Sequence, residues 1–193
     1  MHKFNRLAGS ALACCLLAAA TLAHTQAAMT AKPAVGSAQP PSQIYGKLLA
    51  GMEKEFVDAA EAMPDDKFDF APTTGEFKGV RTFSGQIKHV AESNFYFFAG
   101  DKFTDEADKA NTDAIEKMTK KADIVQALKD SFKMAHAMAD GMTADNAFVT
   151  TTHGSRAGMM SFGLAHLMDH YGQMVVYLRM NGIVPPASRG GNM

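Results

Sequence analysis

The chain has 193 residues, 47% of them apolar and 20% charged, with a formal net charge of −1. Such a composition can supply a packed core and argues for one globular domain rather than a disordered chain. The only dense basic run, Lys117, Lys120 and Lys121, sits beside Glu116 and Asp123, so no nucleic-acid partner is expected.

The N-terminal stretch MHKFNRLAGSALACCLLAAATLAHTQAAM has the anatomy of a secretory signal peptide. Lys3 and Arg6 precede an uncharged, mostly apolar run from Leu7 to Ala23, and Thr25-Gln26-Ala27 supplies a cleavage region. A membrane anchor would call for ~20 apolar residues, usually larger than these alanines. Residues 1–27 are therefore read as a signal peptide, with export to the periplasm or medium and no stable membrane insertion after cleavage. Cys14 and Cys15, the only cysteines, would leave with it. The mature protein is then expected to have no disulfide, Cys ligand or Cys nucleophile.

Residues 28–41, AMTAKPAVGSAQPP, read as a flexible linker. Ser42 is a candidate N-cap for a first helix whose face carries Tyr45, Leu48, Leu49, Met52, Phe56, Ala59 and Met63, closed by Pro64. Pro72, Gly75 and Gly79 mark an irregular connection. A second helix is predicted over about 82–100, on Phe83, Ile87, Val90, Ala91, Phe97 and Phe98. The charged stretch 101–118 has room for a short helix that periodicity does not place. A third long helix covers about 120–142, and 143–157 reads as loop. The last helix spans about 158–181, with Gly182 as its cap residue and Pro185-Pro186 blocking continuation. No strand shows convincing alternation. The expectation is an all-α fold, a four-helix bundle with longer connections over 42–186, followed by a disordered tail at 187–193.

Chemistry concentrates in the last helix. At 100° per residue, His166, His170, Gln173 and Tyr177 share about one quarter of its circumference, flanked by Met159, Phe162, Met174 and Met180. Two imidazoles one turn apart on an apolar face need polar partners, and i, i+4 spacing lets both reach one metal ion. Hydrogen bonds to Gln173 and Tyr177 would satisfy them equally well. A third ligand would have to come from His89, His136 or His153. His89 and His136 each lie about 80° from part of their helix's apolar arc, so the wheel selects neither. The methionines are scattered at core spacing without a Met-x-Met cluster, which suits gap filling better than copper handling.

The pieces IKHVAESNFYF and HLMDHYGQMVVYLRMNGIVPP resemble the DinB-like family of metal-binding four-helix bundles. The likeness covers about 43–186 and is strongest in the terminal motif of a His pair, Gly-Gln, Tyr-Leu-Arg, and Gly before a double Pro. It implies one divalent metal ion, zinc or nickel, held by His89, His166 and His170. Three neutral imidazoles would leave a position for water or a small-molecule substrate. A metal-dependent transferase or hydrolase is the implied activity; the alternative is a non-catalytic binding or stress-related bundle module. Around the trio, Glu92 is a candidate acceptor for His89, Gln173 the favoured outer partner of the pair, Asp169 a base or surface residue, and Arg179 a structural or tail-binding one. Between Gly158 and Asn181 only Asp169 and Arg179 are charged. The face with Leu164, Leu167, Met168, Val175 and Leu178 therefore needs cover from a connection or from a second copy in a homodimer.

Overall fold

A computed structural model describes residues 33–190. The signal-peptide reading, residues 28–32 of the linker and residues 191–193 of the tail lie outside the described residues. Residues 33–39 fall in a unit separate from the one that begins at Pro40. They contain a turn in which the Ser37 N–H donates to the Ala34 carbonyl. Among the described residues, no helix is long and apolar enough to cross a membrane.

From Pro40 onward the chain forms α1 (Pro41–Ala62), α2 (Phe83–Phe98), α3 (Asp105–Glu116), α4 (Lys121–Asp140) and α5 (Arg156–Met180). Helices α1 and α2 each pack against both α4 and α5, so α1 faces α2 across the bundle and α4 faces α5. The four long helices are the expected bundle. Helix α3 packs on α2 from outside.

Local chemistry explains the helix ends. Helix α1 starts at Pro41, not after a Ser42 cap; Pro40 stands at the cap position and makes no side-chain cap bond. Proline at the first helical position has its φ preset and lacks an N–H that would go unpaired there. Leu48, placed on the inner face by periodicity, is 45% exposed, whereas Leu49, Met52, Phe56 and Ala59 are buried. Thr82 caps α2 by accepting from the Gly85 N–H at 3.0 Å. Thr104 caps α3 in the same way, accepting from the Ala107 N–H at 3.1 Å. Asp105, Glu106 and Asp108 in its first turn complement the positive end of the helix dipole.

The stretch expected as loop before α5 contains a minimal antiparallel hairpin, Thr150–Thr151 with Gly154–Ser155. Two-residue strands are too short for alternation to register. Ser155 then caps α5, accepting from the Gly158 N–H at 3.1 Å, so the helix begins at Arg156. At the far end Gly182 adopts φ +73°. Its N–H donates to the Arg179 carbonyl, and the Ile183 N–H donates to the Leu178 carbonyl at 2.9 Å. This paired closure needs a left-handed residue, which glycine supplies without a Cβ penalty. The chain beyond does not become irregular at once: Pro186–Ser188 form a 3-10 turn against α1. Arg179 donates to the Ser188 hydroxyl, in line with a tail-binding role.

Phe56, Phe83, Phe98 and Phe132 are fully buried in the core, each contributing ~1.5–3 kcal/mol by leaving water. Where α2 meets α5, the Phe98 ring lies so close to Gly163 that a Cβ there would sit 2.4 Å from it. That close approach brings the two helices together beside the histidines.

Candidate metal centre

Helix α2 contributes His89, and α5 contributes His166 and His170 one turn apart. Their Nε2 atoms converge. His89 Nε2 lies 3.1 Å from His166 Nε2, which in turn lies 3.0 Å from His170 Nε2. The ligand atoms of all three lie within 4.8 Å of one another, close enough to hold one metal ion. His170 is only 6% exposed, while His89 and His166 are half-buried.

The electrostatics suit a neutral trio. Burial, reinforced by the Arg81 charge and the neighbouring histidines, pulls His89 down to about 4. Burial and then His170 pull His166 down to about 4. Burial also lowers His170, against a raising influence from Asp169. Neutral imidazoles are the form that ligates metal. His166 Nε2 faces two ring nitrogens, yet one ring proton can serve only one of them. With one proton or one lone pair to offer, His166 Nε2 cannot make a full hydrogen bond to both, whereas a cation among the rings would take a lone pair from each. The donor set therefore fits a divalent ion.

Of the three histidines that periodicity left open, the structure brings only His89 to the pair. His136 Nε2 lies 2.9 Å from Glu53 Oε2 across α4 and α1. His153, in the hairpin, stacks on Phe103 at 3.9 Å with Tyr96 at 4.3 Å. The trio lies in the α2–α5 groove, on the flank of the apolar arc of α2 rather than its centre, which is why the wheel did not select His89.

The immediate partner of the pair is a residue that sequence reasoning missed. His170 Nδ1 lies 2.6 Å from Gln86 Oε1, and Gln86, one turn before His89, is 1% exposed. Gln86 Nε2 donates to Gln173 Oε1 at 2.8 Å, and Gln173 Nε2 donates to Asp169 Oδ2 at 3.3 Å. Gln173 thus acts one step further out than expected. The signal available in the sequence was an amide one turn before His89, at the edge of the apolar arc of α2.

The remaining candidates lie elsewhere. Glu92 makes no bond to His89; burial and the neighbouring Glu116 raise it to about 7, and its Oε1 is buried without a partner. The Tyr177 hydroxyl donates to the Arg81 carbonyl rather than to a histidine. The His166 Nδ1 atom is buried without a partner. Phe97 packs edge-on against both His166 and Phe162, at 5.2 Å each, and forms an aromatic wall beside the trio.

A family model described as the DinB superfamily matches residues 48–174, a span that includes all three histidines. The chain belongs to the DinB superfamily. No curated protein matches it.

Proposed function

We propose that this chain is an exported bundle that holds one divalent metal ion on His89, His166 and His170 and acts as a metal-dependent transferase or hydrolase on a small molecule. The observation that carries the metal reading is the convergence of three Nε2 atoms, at 3.0 and 3.1 Å, from imidazoles that burial keeps neutral. A bound zinc or nickel ion would supply a Lewis acid that lowers the pKa of a coordinated water or thiol. The protein's own part is to fix the rings, keep them unprotonated and shield one side with Phe97. The incomplete burial of His89 and His166 supports an approach for a ligand.

A second reading, a non-catalytic binding or stress-related module, is favoured by one observation. Neither nearby carboxylate is bonded into the trio: Asp169 accepts from Gln173, and Glu92 faces Glu116. Displacement of a metal-bound water by azide or a thiol separates the two, since the enzyme reading requires an exchangeable position.

Elemental analysis of untagged protein tests the site itself. Close to one divalent ion per chain is expected, lost in the His166→Ala/His170→Ala variant; full occupancy in that variant would refute the site. Export predicts periplasmic or secreted protein with its N-terminus near Ala28, and an intact N-terminus on cytoplasmic protein would overturn it. Pairing of two copies through α5 is supported by Phe162, Met168, Val176 and Met180, which are 48–62% exposed. Leu164, Leu167 and Leu178 on the same helix are buried within the bundle. Phe70 of the 64–81 connection covers Tyr177, at 5.7 Å between ring centroids. A dimer mass by light scattering, lost in Met168→Glu, is the expected result, and a monomer at micromolar concentration would refute pairing.

A further inference from the structure

We propose that Gln86 is a positioning residue that fixes the ring tautomer of His170, and that Gln173 and Asp169 set the orientation of its amide. The inference rests on the metal-site reading for its purpose but on hydrogen-bond polarity for its content.

The chain of bonds has only one self-consistent direction. A carboxylate offers acceptors alone, so Asp169 Oδ2 requires the NH2 end of Gln173, seen at 3.3 Å. Gln173 then presents Oε1 inward, and it meets Gln86 Nε2 at 2.8 Å. Gln86 in turn presents Oε1 to His170 Nδ1 at 2.6 Å. An oxygen at that distance accepts, so Nδ1 carries the proton and Nε2 keeps its lone pair, pointing at His166 Nε2 3.0 Å away. Turning both amides over would set Gln173 Oε1 against the Asp169 carboxylate. It would also put the His170 proton on Nε2, where it blocks ligation. The exposed end of the relay thus decides which nitrogen is free at the buried end.

The relay is also asymmetric among the three rings. His166 Nδ1 is buried without a partner, so nothing equivalent fixes that ring. His170 is the pre-set ligand of the trio. Metal-ligating histidines commonly donate their second N–H to such an acceptor, and its loss typically costs ~10–100-fold in metal affinity.

The test uses the full chain, metal-free, with long-range nitrogen–proton NMR to read each imidazole tautomer and chelator competition to read zinc affinity. Wild-type His170 is expected as the Nδ1–H form. Gln86→Leu should release it into a tautomer mixture and weaken zinc binding ~10–100-fold. Gln86→Glu keeps an acceptor and should restore the Nδ1–H form. Gln173→Leu, at a half-buried position, supplies a second break should leucine at 86 disturb folding. An Nε2–H form of His170 in the wild type overturns the inference. So does an unchanged tautomer and zinc affinity in both Gln86→Leu and Gln173→Leu. A wild type with His170 held as Nδ1–H that binds no zinc refutes the metal reading and supports the relay. Zinc binding with His170 in free tautomer exchange refutes the relay alone.

Discussion

The approach of α2 to α5 yields a prediction in which one substitution has opposite signs at two positions of a single helix. Glycine in a helix interior costs ~1 kcal/mol relative to alanine. At Gly172 a Cβ would meet nothing within 4 Å, so Gly172→Ala should stabilise by ~0.5–1 kcal/mol. At Gly163 the added Cβ would meet two Phe98 ring atoms at 2.4 and 2.7 Å, about 1 Å inside normal carbon–carbon separation. Phe98 is 1% exposed and packs against Phe97, so its ring has little room to withdraw. Overpacking of this kind costs ~1–3 kcal/mol and outweighs the propensity gain. Gly163→Ala should therefore lose ~1–2 kcal/mol, and ~2–4 °C per kcal/mol separates the two variants clearly in a thermal melt. Because Gly163 lies one turn before His166, the same variant should weaken the proposed metal binding. Introducing Phe98→Leu should remove the penalty, giving a coupling energy of ~1 kcal/mol or more in a double-mutant cycle. A Gly163→Ala melt raised as far as that of Gly172→Ala would refute the close-approach argument.

Three further outcomes follow from other parts of the bundle. Glu92 is raised from 4.5 to about 7, so the folded state holds its proton more tightly and stability falls as pH rises from 4.5 through 7. That difference corresponds to ~3 kcal/mol, which water around the half-buried side chain reduces to ~1–2 kcal/mol. Glu92→Gln should accordingly be the more stable protein at pH 8 and equal to wild type below pH 4.5, as read by urea denaturation. Asn94 and Ser131 are both fully buried and bonded at 3.0 Å between α2 and α4. Ser131→Ala leaves the Asn94 amide N–H2 without this partner and should cost ~1–3 kcal/mol in the same assay. Gly182→Ala forces a Cβ into φ +73° and should cost ~1–2 kcal/mol by calorimetry; a neutral result would mean that the α5 terminus closes in some other way.

The long helices were legible because each buries a regular 3.6-residue stripe: Phe83, Ile87, Val90 and Phe98 on α2, or Ile124, Leu128, Phe132 and Ala135 on α4. Helix α3 was not, since Ile115 is its one buried residue and an outer helix with so little to bury leaves no stripe. The His166–His170 pair was legible from spacing alone. His89 was not, because membership of the trio depends on how closely α2 approaches α5, and that is set by a contact between Phe98 and Gly163 far apart in sequence. Gln86 was missed for a related reason. An amide at the edge of an apolar arc carries no mark of what it faces until the neighbouring helix is in place.

Helix α5 breaks the rule that a bundle helix turns its apolar side inward and its polar side outward. His170 is buried, and Gln173 is half-buried where it meets Gln86, while Phe162, Met168, Val176 and Met180 are exposed. Burying imidazoles and amides costs free energy unless every donor meets an acceptor, and the Asp169–Gln173–Gln86–His170 relay meets that demand for one ring. It does not meet it for His166, whose Nδ1 stays unpartnered and whose Nε2 faces two like nitrogens. A bundle selected for stability alone would place leucine at these positions, as it does at Leu164, Leu167 and Leu178 on the same helix. Departures from local rules that stability does not explain concentrate at functional sites. Here they fall on the three rings that can share one cation.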